Sequence, residues 1–313
     1  MNEKTNKKGF GAWFRDNWKN NALFSTGIAL IVMVILQTLA LGMTFVIISG
    51  GIDLAVGSTL VAVGAITMTL IDAANGGWLG AIGLTGAPAY IVAILISVAA
   101  GIIFGGLNGL MVTAGKIPPF IATLGAMKIL RSVTQQFMQS SSPKVPTGFQ
   151  QIARVKVGGQ MFMPILYWLL IALALYIVSK KTVFGRHVFA VGSNEKTSRL
   201  SGINVNRVKL GVYALMGAVV AIAAVLQVSR IGAMDPANAG SGYELDSIAA
   251  VIVGGTSMSG GKGSVAGTVF GMLIIAVMNN LLNLLGVPPF LREAFKGAII
   301  IAAVLLQRKS SDN

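Results

Sequence analysis

Cysteine is absent from the chain, histidine occurs once, and only 10 of the 313 residues are acidic. Without thiols there are no disulfides, no thiol nucleophile and no cysteine-ligated metal. The single histidine, His187, sits beside Arg186 in a basic loop and reads as a solvated surface residue; no metal-ligand spacing occurs. A Gly-x-x-x-x-Gly-Lys-Ser/Thr phosphate loop is also missing. The stretch Gly255-Thr256-Ser257-Met258-Ser259-Gly260-Gly261-Lys262-Gly263-Ser264 has similar composition but the wrong spacing, and reads as a tight turn between two helices. The chain therefore shows no means of hydrolysing ATP itself, and no catalytic constellation.

Charge is scarce as well. Charged residues make up 11% of the chain and hydrophobic ones 54%, with a mean hydropathy of +0.77. Soluble domains carry about 25% charged residues. So few charges cannot solvate a globular surface, whereas lipid asks for apolar surface and internally paired backbone. A soluble α/β enzyme is excluded because its apolar runs would be about 4–8 residues long, not near 20. The net charge of +14 comes without a nucleic-acid motif or an arginine–aromatic stripe. It lies mainly outside the apolar runs, as expected when basic loops stay on the cytoplasmic side.

What is present is a succession of apolar windows near residues 22–40, 41–50, 54–71, 89–114, 119–138, 161–179, 209–229, 246–258, 264–286 and 290–307. The expected fold is an all-α integral membrane protein, one transmembrane domain over residues 1–313 with about ten spans. The windows 41–50 and 246–258 are too short to cross a bilayer, and read as broken helices buried in protein or facing a cavity. If they only dip in, eight spans remain. Lys4, Lys7, Lys8, Arg15 and Lys19 precede an apolar run with no small-residue cleavage pattern, so a retained first span is expected rather than a cleaved signal peptide. Segment 180–209 carries Lys180, Lys181, Arg186, Lys196, Arg199, Arg207 and Lys209 against one acid, Glu195. This places it in the cytoplasm, with the N-terminal segment 1–21 and the tail 308–313 on the same side. The loops 72–88, 139–160 and 230–245 are then external. The second of these is polar, holds Pro143 and Pro146, and suits a surface loop or small cap, although Lys144, Arg154 and Lys156 run against the charge rule.

Two short similarities suggest an inverted internal repeat. Gly51-Ile52-Asp53-Leu54 resembles Gly242-Tyr243-Glu244-Leu245, and Lys116-Ile117-Pro118-Pro119-Phe120 resembles Gly286-Val287-Pro288-Pro289-Phe290. With ten crossings Asp53 lies near the inside and Glu244 near the outside, as inversion requires.

Polar residues at membrane edges carry two readings each. Asp53, Glu244 and Asp246 either cap the helices that follow them or line a polar path and bind a proton; capping is favoured, and Gly50 and Gly51 support a turn before Asp53. Asn108, Asn279, Asn280 and Asn283 either bond neighbouring helices or face a path for hydroxylated substrates. In segment 185–209, Ser193 or Asn194 can cap a helix, Glu195 suits its first turn, and Gly202 can end it. A cytoplasmic helix of about two turns is expected near 194–201, with Leu200, Ile203 and Val205 as apolar contacts. It is either an ordinary loop helix or a docking element for a cytoplasmic partner.

Four stretches together resemble one family. They are Gly42-Met43-Thr44-Phe45-Val46-Ile47-Ile48-Ser49-Gly50-Gly51-Ile52-Asp53-Leu54-Ala55-Val56-Gly57-Ser58; Pro118-Pro119-Phe120-Ile121-Ala122-Thr123-Leu124-Gly125; segment 185–209; and Ala249-Ala250-Val251-Ile252-Val253-Gly254-Gly255-Thr256 with Gly260-Gly261-Lys262-Gly263-Ser264. They resemble the membrane permeases of bacterial ABC importers for simple sugars, the ribose-type branch. The resemblance implies a homodimer in the inner membrane forming one translocation path. It also implies separate cytoplasmic ATPase chains that bind ATP and Mg, and a periplasmic or lipid-anchored sugar-binding protein. It assigns Ser193, Asn194, Glu195, Arg199, Leu200, Ser201, Gly202 and Ile203 to the helix that couples to the ATPase. It places Gly50, Gly51, Asp53 and Ser58 in the translocation core, with Asn108 and Asn279 as further path candidates. Ribose or a related pentose is the expected cargo, although family relatives carry galactose, xylose, inositol, autoinducer-2 and nucleosides. An ion-coupled secondary transporter and a non-transporting membrane scaffold are the competing readings.

Overall fold

The computed structural model describes residues 38–138, 143–157, 160–161, 163–288, 291, 294–295, 297–299 and 301. The windows expected at 22–40 and 290–307 fall wholly or mostly outside the described residues, as do the two termini.

The described chain is helical apart from one antiparallel ladder of two-residue strands, β1 (Lys156–Val157) and β2 (Gln160–Met161). Twelve helices follow in order: α1 Thr38–Ile48, α2 Val56–Leu70, α3 Gly77–Ala81, α4 Gly86–Thr113, α5 Pro119–Met138, α6 Thr147–Arg154, α7 Met163–Lys181, α8 Val183–Ser193, α9 Glu195–Leu200, α10 Val205–Ile231, α11 Tyr243–Val253 and α12 Val265–Leu284. Four of them, α4, α7, α10 and the stretch Val265–Leu282 of α12, are long and apolar enough to cross a membrane. The shorter apolar helices α1 and α2 take the places of the windows at 41–50 and 54–71.

The centre of the protein is α10. Asn204 caps its start by accepting from the Arg207 amide at 3.0 Å, and Gly232 ends it in the left-handed region, φ +90°. Between these ends 72% of its most apolar stretch is buried, against 22% in α4 and in α7. The outer helices instead expose Ile91, Leu95, Ile103, Leu170 and Leu173. A helix apolar on every side is stable in the middle of such an assembly, and exposed leucine and isoleucine suit lipid.

Small residues bring the helices together. Gly101, Gly105 and Gly109, one helical turn apart, lay α4 on α10, where added β-carbons would strike the backbone of Gly217, Tyr213 or Leu210. Backbones that approach this closely gain van der Waals contact that lipid cannot supply. Hydroxyl pairs add hydrogen bonds across helices: Thr44 with Thr268 at 2.7 Å joins α1 to α12, and Thr67 with Ser97 at 2.7 Å joins α2 to α4.

Residues 143–157 of the loop expected at 139–160 build a cap over the end of α10. Phe149 of α6 is fully buried and meets Tyr90 edge-on at 5.5 Å. Arg154 donates to the carbonyls of Arg230 at 2.8 Å and Ile231 at 3.3 Å. A cation on the last carbonyls of a helix is favourable. One of the three basic residues that run against the charge rule in this loop therefore has a local structural partner.

One expectation is corrected. Asp53 and Glu244 were placed near opposite faces, yet the chain brings their segments together. Gly57, one turn beyond Asp53, lies against the Gly240 carbonyl, and a β-carbon on it would come 2.9 Å from the Glu244 carboxylate. The start of α2 is buried at Ala55 and Val56, whereas that of α11 is partly exposed, Leu245 being 57% exposed. From this meeting point α2 runs toward Met234 and Val228 near the end of α10, while α11 runs toward the turn that holds Gly260 and Gly261.

Candidate functional site: an interior break and an exposed helix

The break lies between α1 and α2. Gly50 turns the chain with φ +79°, and Gly51 fits between Val46 and the Tyr213 hydroxyl. The non-helical backbone that follows needs hydrogen-bond partners, because apolar surroundings offer no water. Tyr213 of α10 supplies one: its hydroxyl donates to the Ile52 carbonyl at 3.1 Å. The Thr123 hydroxyl lies 3.5 Å from the same carbonyl and donates within α5 to Pro119 at 2.8 Å. Asp53 is buried, and its Oδ1 accepts the Ala55 amide at 2.9 Å. This is an Asx turn ahead of α2 rather than the helix cap favoured for Asp53: the capping position is Ala55, which has no side-chain cap.

Asn108 of α4 faces Asp53. Its Nδ2 is buried and falls short of hydrogen-bond geometry, as does the buried Ser58 Oγ. Among the path candidates, then, Gly50, Gly51, Asp53, Ser58 and Asn108 gather around this break. Asn279 lies on α12 with its Oδ1 buried and unpartnered, and no described contact joins it to the group. The 232–242 segment closes over the same region. Arg131 of α5 donates to the carbonyls of Pro236 at 3.1 Å and Ala239 at 2.6 Å. Sequence reasoning missed Tyr213, Thr123 and Arg131; nothing local marks a tyrosine or arginine whose partner is a backbone carbonyl more than a hundred residues away.

The second element is α9. Asn194 caps it by accepting the Thr197 amide at 3.0 Å, and Gly202 follows with φ +82°. The helix expected near 194–201 is found at Glu195–Leu200. Glu195 accepts from Arg199 at 2.8 Å and from Lys209 at 2.7 Å, and these cations hold its carboxyl below the usual glutamate range. Ser198 is buried, and Ile203 packs against the core. Leu200 does not: it is 89% exposed. Lys196, Thr197, Arg199, Ser201 and Gly202 are exposed around it, as are Ser193 and Asn194.

A backbone junction connects the two elements. The Gly261 amide donates to the Ile48 carbonyl at 2.9 Å, at the end of α1. Gly192, near the end of α8, packs on that same carbonyl, and Gly261 packs on Ser193. Gly260 and Gly261 adopt φ +82° and +72°, which favour glycine. The residue that caps α9 thus lies two positions from a three-way contact with α1 and the turn after α11. At the far end of α10, two cavities of about 340 and 360 Å³ open beside α3, the first lined by Asp72, Asn75 and Trp78.

The arrangement is a buried polar break, joined by close backbone packing to an exposed cap-and-ion-pair helix. Comparison with known proteins identifies the family. The family model described as branched-chain amino acid transport system / permease component matches residues 25–304. The ribose import permease protein RbsC of Escherichia coli (strain K12) is 39% identical over 277 residues, covering 87% of this chain and 81% of that protein. The RbsC of Bacillus subtilis (strain 168) is 41% identical over 276 residues, covering 87% and 81%. The xylose transport system permease protein XylH of E. coli (strain K12) is 33% identical over 328 residues, covering 85% and 80%. No solved structure matches.

Proposed function

This chain belongs to the family of branched-chain amino acid transport system permease components, and on that premise we propose that it is the pore-forming subunit of an ATP-driven importer for ribose or a related simple sugar. Similarity to ribose import permeases along 87% of the chain supports the cargo. ATP and Mg are bound by a separate cytoplasmic ATPase. An external sugar-binding protein delivers the cargo, and two copies of the chain enclose the path. The protein sits in the bacterial inner membrane with both termini in the cytoplasm, and spans it eight to ten times as an inverted repeat. Inversion does not need the two acids at opposite faces: short helices that start together and run apart, as α2 and α11 do, also suit an axis in the membrane plane.

The observation that carries the mechanism is Leu200, 89% exposed on a helix otherwise held by its own caps and ion pairs. An apolar side chain so presented gains by burial in a groove on a partner. Ser193, Asn194, Glu195, Arg199, Leu200, Ser201, Gly202 and Ile203 form the docking element. When the ATPase dimer closes, α9 moves with it. The junction of Gly192, Ile48 and Gly261 passes that movement to α1 and to the turn after α11, and so to the break. Such a movement shifts populations only if the partner binds the two states with different affinity.

Co-purification tests this reading. With the chain tagged and the ATPase co-expressed, the two should elute together from solubilised membranes. Replacing residues 193–203 by a Gly/Ser linker should abolish co-elution. Retained co-elution with the linker would sink the docking assignment, and uptake driven by an ion gradient without any ATPase would sink the importer.

A further inference from the structure

The path candidates named from the sequence gather mainly in the packed interior, but one helix presents polar groups outward. Helix α5 touches the rest of the protein through Ala122, Thr123, Ala126, Thr134 and Met138, all buried. At about 100° per residue these fall on one side. Directly opposite lie Gly125, Lys128, Ser132, Gln135 and Gln136, all exposed. A β-carbon on Gly125 would meet nothing. On the flanks, exposed Leu124 and Ile129 are apolar, and Arg131 is occupied by carbonyls.

Helix α5 is less apolar than the four helices named above, and as the span read from the sequence over 119–138 it carries this stripe through the membrane. The helix has 20 residues, about 30 Å, so Lys128 near its middle is about 15 Å from either end, beyond comfortable snorkelling. Thr123 below it lies by Ile52, and Arg131 above it holds Pro236 and Ala239, so Lys128 stands level with the interior break. A lysine facing lipid at mid-depth costs about 2.5–3.5 kcal/mol, and glutamines there add to it, so such residues face protein or a water-filled cavity. The polar set contains one cation, two amides and one hydroxyl. From Gly125 to Gln136 it carries no carboxylate, while Ile121, 59% exposed, continues the same face one turn below; the polar set supplies donors and acceptors suited to hydroxyl groups.

We infer that the outer stripe of α5, through Lys128, Ser132, Gln135 and Gln136, forms one wall of the aqueous path and is where a neutral, polyhydroxylated substrate makes its hydrogen bonds during passage. The inference rests on the permease reading above. The opposite wall comes from a second copy of the chain, because a single protomer leaves this face open to one side. In this arrangement the buried group at Asp53 and Asn108 supports the break, and the stripe meets the cargo.

The absence of cysteine permits a direct test. Lys128→Cys, Ser132→Cys and Gln135→Cys are made singly, with Leu124→Cys and Ile129→Cys as comparisons on the apolar flanks. Each is reconstituted with its ATPase and binding protein and exposed to a charged, membrane-impermeant methanethiosulfonate. Thiolate forms readily only in a wet site, so the stripe cysteines should react about tenfold faster than those at 124 and 129. D-ribose with the binding protein should slow them. Equal and slow reaction at all five positions would overturn the inference while ATPase co-purification still upheld the permease. Spontaneous disulfides between copies with no reaction toward the reagent would also overturn it, by showing a dry interface. A parent protein that neither associates with the ATPase nor takes up sugar would remove the premise and the inference together.

Discussion

The break between α1 and α2 and the segment around α9 handle polar groups in opposite ways. At the break, exposed backbone is buried in an apolar interior, so partners come from distant helices: Tyr213 on α10, Asp53 on the turn itself, and glycines that allow backbone to lie on backbone. Around α9 most side chains are exposed, and the hydrogen bonds and ion pairs are local or nearly so: the Asn194 cap, the Glu195 pairs and the Gly202 end. The interior element cannot change one residue without disturbing another far away. The exterior element can lose an interaction and keep the fold, which leaves it free to serve a partner.

That contrast sets an order of sensitivity. The largest effect is expected from Gly57→Val, whose side chain would be driven into the Gly240 carbonyl. Overpacking of this kind costs about 1–3 kcal/mol or more. Membrane abundance and thermal stability in detergent should both fall, and uptake should vanish. Next comes Tyr213→Phe, which removes the donor to Ile52 and leaves that carbonyl with the more distant Thr123. A buried acceptor stripped of its donor costs about 1–3 kcal/mol, to be read as a lowered melting temperature. If Tyr213→Phe were as stable as the parent, the break would not depend on α10.

Smaller effects are expected at α9, and they should appear in partner binding rather than in stability. Asn194→Ala removes the cap, worth about 0.5–2 kcal/mol to the helix, and should weaken ATPase association with little change in melting temperature. The smallest effect follows from Glu195. Its carboxyl is held low by Lys209 and Arg199, so the pairing is fully present above the ordinary glutamate range and is lost as pH falls through the lowered value. Its side chain is 41% exposed, and solvent-exposed pairs contribute about 0–1 kcal/mol. Hydrogen exchange across residues 193–209 should speed up only at acidic pH. Glu195→Gln should show the faster exchange already at neutral pH. Equal exchange in parent and variant at neutral pH would show the ion pairs to be ornamental.

The same contrast explains what could be read from the chain. Helix α9 was legible to within a residue, because caps and first-turn acids act over three or four positions. The break at Gly50 and the short helix α11 were legible from run length, since both windows are too short to span. The window 119–138 coincides with α5. The meeting of Gly57 with Gly240 and Glu244 was not legible, and the expectation of opposite faces failed there. Matching motifs show that two segments are alike, not where they lie relative to each other. Arg131 and Arg154 were similarly opaque, since each serves carbonyls more than seventy residues away. The stripe on α5 has a visible spacing, but without the fold nothing says which side of that helix is packed.

The measurement closest to the central claim is D-ribose uptake into proteoliposomes holding this chain, its ATPase and its binding protein. The account predicts uptake that requires ATP, survives collapse of proton and sodium gradients, and is lost in Arg199→Glu/Leu200→Asp. Uptake that persists without ATP and follows an ion gradient, or that is untouched by the double substitution, would contradict it.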